Sequence, residues 1–281
     1  MKIEHLSSIS AIYYALLHNG YEFYPFERNQ DTIGIIKGYV DNDAAFPYFS
    51  QVRQNTCDVY PYWPRAFILE KAAFYLEKDS SGFCNYNLLK DEVMSANNIT
   101  QDEKSVSLWS WINGFPKALK EVIGSADFNR YWKWEDEWIS EQNERYDKEI
   151  GMIDRLLDHC RTEYHPYCHG IRMILCPIKC VYASDYHICD GTFIFTSGDL
   201  RSDSVIHEYL HTIIHPIIEK EIKQVPVKQY QGIDNSYYLD RSEQGYKNAF
   251  EEYAVRLVTD RILKKERLPE LYDFLHKLTI R

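Results

Sequence analysis

Two histidines one helical turn apart, with a glutamate between them, are the residues whose spacing most directly suggests chemistry. The segment His207-Glu208-Tyr209-Leu210-His211 follows the pattern HExxH. Residues at i and i+4 lie on the same face of an α-helix, so both imidazoles can direct a nitrogen to one metal ion. Glu208 lies about 100° round the helix, where its carboxylate can accept a proton from an activated water. The pattern predicts a zinc hydrolase site with Glu208 as general base.

The residues around this pattern predict a buried helix that follows a strand. Residues 192–196 are β-branched and aromatic and lie between Gly191 and Gly198, which is typical of a β-strand. Candidate N-cap residues follow at 202–204, and Pro216 is predicted to end or kink the helix. Apolar residues recur at the spacing of a buried helix, at Val205, Ile206, Tyr209, Leu210, Ile213 and Ile214. A solvated helix with two accidental histidines would not be this apolar, which favours the metal site.

A catalytic zinc site normally has three protein ligands, so a third is expected elsewhere in the chain. The extended pattern HExxHxxGxxH is excluded, because Ile214 and Ile217 stand where its glycine and third histidine belong. His215 continues the histidine stripe by one turn. It precedes Pro216, which biases it away from helical geometry, so we interpret it as an outer partner or a structural residue.

The other known solution is a glutamate from a later helix, the gluzincin arrangement. Residues 244–258 predict such a helix, and Glu251 and Glu252 compete for the role. The apolar face of this helix is formed by Phe250, Tyr253, Ala254, Leu257 and Ile262. Glu251 lies nearer that face and Glu252 nearly opposite it. Because a ligand should face a cleft, the periodicity favours Glu252 and leaves Glu251 as the alternative.

These segments resemble a bacterial family of HExxH gluzincin zinc metallopeptidases that is classed only as a domain of unknown function. The likeness rests on the HExxH pattern followed by Pro216, on a Gly-Tyr pair six residues before Glu252, and on the segment from Glu252 to Arg256. Looser matches at residues 3–20 and 128–146 extend it over nearly the whole chain.

The resemblance implies a zincin-like fold and one zinc ion per chain. It implies that His207, His211 and Glu252 are the zinc ligands and that Glu208 is the catalytic residue. A peptide or protein is the implied substrate class, with no particular target. A second class of function stays open, a catalytically silent binding protein stabilised by zinc. The intact Glu208 argues for activity, since a structural zinc needs no base beside its ligands.

Composition narrows the choice of partners. The chain of 281 residues is 45% apolar and 26% charged, with a formal net charge of −10. This charge disfavours nucleic acid or an anionic membrane surface as partner. No apolar run approaches the roughly 18 residues of a membrane-spanning helix.

The start of the chain and the cysteines bear on localisation. The N-terminal residues lack both a basic segment and a signal-peptide cleavage site. If Met1 is the native start, this predicts a cytoplasmic protein. If a signal peptide was trimmed from the sequence, the protein is exported. Seven cysteines cannot all pair within one chain, which fits a reducing compartment.

The order of elements predicts an α+β fold. Residues 3–18, 64–77, 106–122 and 127–160 have helical apolar spacing, whereas 171–176, 178–183 and 192–196 are predicted strands. We therefore expect a mainly helical N-terminal lobe over 1–165 and a catalytic lobe over 166–281, or one continuous domain. We expect the strand at 192–196 to be the edge strand that pairs with an extended peptide.

Three further groups of residues are candidates for a function. Cys160, His165, Cys168 and His169 contain metal-ligating side chains, but their spacing is not that of a recognised zinc site. Tyr237, Tyr238 and Tyr246 lie between the two metal-bearing helices, where a phenol could stabilise an oxyanion. The aromatic run at 131–138 could form a peptide-binding wall, although its spacing favours core packing.

Overall fold

The computed structural model describes residues 1–21, 30–40, 46–52, 66–78, 89–91, 103–164, 168–230, 242–264 and 270–280. The helices within these ranges are α1 (Ser7–His18), α2 (Gln30–Lys37), α3 (Phe67–Lys78), α4 (Glu103–Ile112), α5 (Phe115–Ile123), α6 (Ala126–Arg145), α7 (Asp147–Tyr164), α8 (Ser202–Glu221), α9 (Glu243–Leu263) and α10 (Leu271–Thr279). A short 3₁₀ helix spans Pro47–Gln51. The strands are β1 (Ile3–Glu4), β2 (Gly170–Leu175), β3 (Asp185–Cys189) and β4 (Thr192–Ser197).

The α+β class is confirmed, with mostly helical content and one small mixed sheet. The helix predicted over 127–160 is two helices, because α6 ends at Arg145 and α7 begins at Asp147. Acidic residues are favourable in the first turn of a helix, and α7 has Asp147 and Glu149 there. None of the helices within the described ranges is long and apolar enough to cross a membrane.

The sheet has the strand order β1-β2-β4-β3. Strands β1, β2 and β4 are parallel, and β3 is antiparallel to β4. A two-residue turn joins β3 to β4, with φ of 52° at Asp190 and 69° at Gly191. Positive φ at both central residues is typical of the tight hairpin turns that suit the twist of paired strands.

Two strand predictions are wrong. Residues 178–183 form turns, in which the Lys179 N–H donates to the Cys176 carbonyl at 2.9 Å. Strand β4 is not the edge strand, because β2 pairs with one side of it and β3 with the other. The edge beside β4 is therefore β3, a strand that the apolar pattern did not predict.

The sheet lies between two layers of helices. In β2 and β4, Met173 and Phe195 face a core cluster shared with α7, α8, α9 and α10, whereas Ile174 and Ile194 face the cluster of the N-terminal helices. Tyr131 of the aromatic run is fully buried in that second cluster, in agreement with core packing. Pairing of β1 with β2 connects the first residues of the chain to the later strands. The division at residue 165 stays a prediction.

A buried ion cluster joins the N-terminal helices to the sheet. Lys179 is 1% exposed, and its Nζ lies 2.5 Å from Glu70 Oε1, 2.7 Å from Asp185 Oδ2 and 3.0 Å from Thr196 Oγ1. These partners come from α3, β3 and β4, so one ammonium group contacts three separate elements. All three of its protons have acceptors, as a buried lysine requires.

Glu70 accepts further bonds in this cluster. Tyr13 Oη donates to its Oε1 at 2.5 Å, and His187 Nε2 lies 2.8 Å from its Oε2. Burial alone would raise the pKa of Glu70, but attraction to Lys179 and the bond from His187 outweigh it and hold that pKa well below its usual range. Burial lowers the pKa of His187, which favours a neutral imidazole that donates Nε2–H to Glu70.

Candidate metal centre

Helix α8 carries the histidine pair on a well-packed segment. Its residues Ile206, Leu210, Ile214 and Ile218 are buried in the core cluster between the sheet and α9. The helix continues through Pro216 to Glu221, so of the two predicted effects of the proline, an end or a kink, the structure excludes the end. Proline inside a helix costs about 3 kcal/mol. Burial of several branched apolar side chains, at about 1.5–3 kcal/mol each, outweighs that cost.

Helix α9 places its carboxylates beside this segment. It begins after Ser242, whose side chain accepts a hydrogen bond from the Gly245 N–H at 3.1 Å. Phe250, Ala254 and Val258 are fully buried in the same core cluster as α8. This packing turns Glu251 and Glu252 towards α8, where the two residues have different partners.

Three ligand atoms from these helices form a nearly equilateral triangle. His207 Nε2 lies 3.2 Å from His211 Nε2, and Glu252 Oε2 lies 3.4 Å from each of them. Zinc bonds to nitrogen and oxygen are about 2.0–2.1 Å long, and a tetrahedron with such bonds has edges of about 3.3 Å. The three atoms therefore have the spacing of one face of a tetrahedral zinc site.

This group is also distinctive in the part of the chain that the structure describes. Of the His, Cys, Asp and Glu side chains in that part, those of His207, His211 and Glu252 lie close enough together to hold a metal ion. Each is partly exposed, so solvent or a ligand has access. Two imidazoles and one carboxylate match the protein donor set of catalytic zinc.

The charges around His207, His211 and Glu252 favour the binding of a cation. Burial alone would lower the pKa of His211, but its bonds to Glu251 and Glu252 outweigh burial and raise that pKa to about 10. Burial alone would raise the pKa of Glu252, but its bonds to His207 and His211 hold it well below the usual range. Arg256 donates from Nε to Glu252 Oε1 at 2.6 Å, which leaves Oε2 directed at the histidines.

Glu251 has a separate position from Glu252. Its Oε1 lies 2.7 Å from His211 Nδ1, and its Oε2 lies 2.7 Å from His215 Nδ1. Glu251 thus contacts the outer nitrogen of His211, on the other side of the ring from Glu252. The apolar spacing of α9 indicated which glutamate lies nearer the core, but it did not reveal this bridge.

The predicted catalytic side chains differ in how the structure places them. Glu208 is half-buried on α8, and its charge is one of those that raise the pKa of His211. Tyr246 is half-buried in the first part of α9. A separation of six residues puts it about 120° round the helix from Glu252, and its part in catalysis stays a prediction. Tyr237 and Tyr238 lie outside the described residues.

Sequence reasoning missed an aromatic contact from the sheet. Tyr186 of β3 lies nearly parallel to the His211 ring, with the ring centroids 6.1 Å apart and the planes at 12°. It also stacks on Phe193 of β4. The edge strand therefore reaches the candidate metal centre, and the Asp-Gly pair before β4 was the sequence signal for this hairpin.

The second candidate metal cluster is not assembled among the residues that the structure describes. Cys160, Cys168 and His169 form no metal-holding group there, and His165 lies outside those residues. Burial raises the pKa of both thiols to about 11. The imidazole of His169 packs against Gly191, where an added Cβ would lie 2.3 Å from Nε2. Cys160 and Cys168 are free thiols.

Comparison of the chain with protein-family models, with curated proteins and with solved structures found no match. A functional assignment therefore depends on the geometry and chemistry of the site itself.

Proposed function

We propose that this protein is a zinc-dependent hydrolase of the gluzincin type that acts on peptides. In this proposal His207, His211 and Glu252 hold one zinc ion per chain. The observation that carries it is the triangle of ligand atoms with edges of 3.2–3.4 Å, close to a face of a zinc tetrahedron. The glutamate between the two histidines distinguishes a hydrolytic site from a purely structural one.

The chain's own residues have defined parts in such a reaction. When bound, zinc would act as a Lewis acid that activates water and polarises a carbonyl group. The Glu208 carboxylate would accept the proton of the attacking water and later donate it to the leaving amine. Arg256 would hold Glu252 Oε1 so that Oε2 stays directed at the two imidazoles.

The surrounding fold supports a zincin-like core. A helix with the histidine pair packs against a helix with the glutamate, and a small sheet with an antiparallel edge strand lies beside them. Because β3 is that edge strand, we propose that an extended peptide pairs with β3 and not with β4. Tyr186 would then lie beside the substrate, next to His211.

The first test of this proposal is the metal content of the protein. We expect about one zinc ion per chain by elemental analysis after purification without chelators, and recovery of that stoichiometry when stripped protein is given Zn²⁺. An unbiased peptide library should be cleaved by the zinc-loaded protein and not by the stripped protein. Protein that neither contains nor takes up zinc would exclude the proposal. Zinc at one per chain without cleavage would favour the silent binding protein.

The role of Glu252 gives a second test. Glu252→Ala should weaken zinc binding by more than about 100-fold, since loss of a direct ligand exceeds the 10–100-fold typical of outer partners. A competitive titration with a chromophoric chelator measures this change. Glu243→Ala, at an 89% exposed side chain on the same helix, is the matched control and should leave affinity unchanged. Unchanged affinity in Glu252→Ala would show that another group completes the site.

A further inference from the structure

Glu251 connects two imidazoles of α8 through separate oxygens. Its Oε1 lies 2.7 Å from His211 Nδ1, and its Oε2 lies 2.7 Å from His215 Nδ1. The side chain of Glu251 is 11% exposed, whereas that of His215 is 51% exposed. A carboxylate that is nearly buried needs hydrogen-bond donors, and these two rings supply one for each oxygen.

The bridge determines which nitrogen of His211 is available. An ionised carboxylate only accepts hydrogen bonds, so His211 donates its Nδ1–H to Glu251. A neutral imidazole carries one N–H, which leaves the lone pair on Nε2. That same Nε2 lies 3.2 Å from His207 Nε2 and 3.4 Å from Glu252 Oε2. The bond to Glu251 thus selects the tautomer and the ring orientation that metal binding requires.

We propose that Glu251 is a positioning residue that fixes His211 for metal binding, and that His215 holds Glu251 in place from the solvent side. The inference rests on the metal site of the proposed function, and it gives a role to two residues outside the ligand triangle. The residue spacing on α8 supports it, because His211 and His215 are one turn apart and both face α9.

His215 is the outer member of this arrangement. Without it, Glu251 Oε2 would lose its 2.7 Å partner, and the carboxylate could rotate away from His211. Because the side chain is half exposed, water can replace part of that bond. The effect of removing His215 should therefore be smaller than that of removing Glu251.

Zinc affinity of three variants tests the inference. Glu251→Ala should bind zinc about 10–100-fold more weakly, the usual cost of removing an outer partner of a metal-bound histidine. Glu251→Gln should retain most of the affinity. Its amide oxygen can accept from His211, and its NH₂ can donate to His215 once that exposed ring takes the other tautomer. His215→Ala should lie between wild type and Glu251→Ala. Glu219→Ala, at a 38% exposed carboxylate on α8, is the control and should equal wild type.

A second measurement reports orientation directly and needs no metal. In protein labelled with ¹⁵N-histidine, stripped of metal and held at a pH where His211 is neutral, two-bond NMR correlations should show the remaining proton of that ring on Nδ1. Glu251→Ala should lose that preference, whereas Glu251→Gln should keep it. A variant that is only less stable would show a lower unfolding temperature without a changed tautomer.

The outcomes separate this inference from the proposed function. Wild type that binds zinc while Glu251→Ala binds equally well would overturn the inference alone. Equal losses in Glu251→Ala and Glu251→Gln would overturn it too, since charge and not orientation would then matter. Wild type without zinc affinity would exclude the proposed function, and the NMR comparison would still show whether Glu251 sets the tautomer of His211.

Discussion

Replacement of Glu208 by glutamine is expected to abolish peptide hydrolysis while zinc stays bound. Glutamine has nearly the same shape as glutamate, but its amide cannot accept the proton of the attacking water. Removal of a general base typically lowers the rate by 10²–10⁴-fold, and we expect a loss of at least about 100-fold in kcat. Digestion of a peptide library that the wild type cleaves measures the loss, and elemental analysis checks the metal.

The matched control is Glu219→Gln on the same helix. Glu219 has an exposed side chain that lies 3.9 Å from Lys247, and nothing places it in the ligand triangle. This variant should hydrolyse the library at the wild-type rate. Full activity in Glu208→Gln would show that Glu208 does not take part in proton transfer, whereas loss of zinc from that variant would give it a structural role.

The largest expected effect on stability concerns Lys179. Its substitution by methionine keeps the chain length of the buried stem but leaves Glu70 and Asp185 without their shared cation. Breaking a buried ion pair from one side costs about 3–5 kcal/mol, because an uncompensated charge stays in the core. Urea unfolding followed by circular dichroism should therefore show a decrease of that size in the free energy of unfolding.

Two further variants show whether the loss comes from uncompensated charge. Lys247→Met removes a lysine whose side chain is 26% exposed and whose nearest carboxylate oxygens lie 3.6 and 3.9 Å away. It should change stability by less than about 1 kcal/mol. Addition of Glu70→Gln and Asp185→Asn to Lys179→Met removes the unpaired charges and should recover much of the loss. If Lys179→Met alone were as stable as wild type, the buried cluster would not hold these elements together.

The sequence by itself predicted that the two histidines share a face of α8, and it predicted the class of the fold. His207 and His211 share a face of any helix that contains them, because 3.6 residues complete one turn. The apolar residues around them recur at helical spacing, and the tertiary structure buries those same residues in the core. The Asp190-Gly191 pair is a hairpin signal, since positive φ is easiest for glycine and tolerated by aspartate, but strand β3 before it was not predicted.

Only the tertiary structure decided which side chains of different helices and strands contact one another. Periodicity describes the faces of a single helix, but the rotation of α9 against α8 depends on how Phe250, Ala254 and Val258 pack in a shared core. That packing puts Glu252 Oε2 beside the two histidines and puts Glu251 behind His211. The partners of Lys179 are Glu70 of α3 and Asp185 of β3. Contacts between residues so far apart in the chain follow from packing in three dimensions, because no local spacing rule relates them.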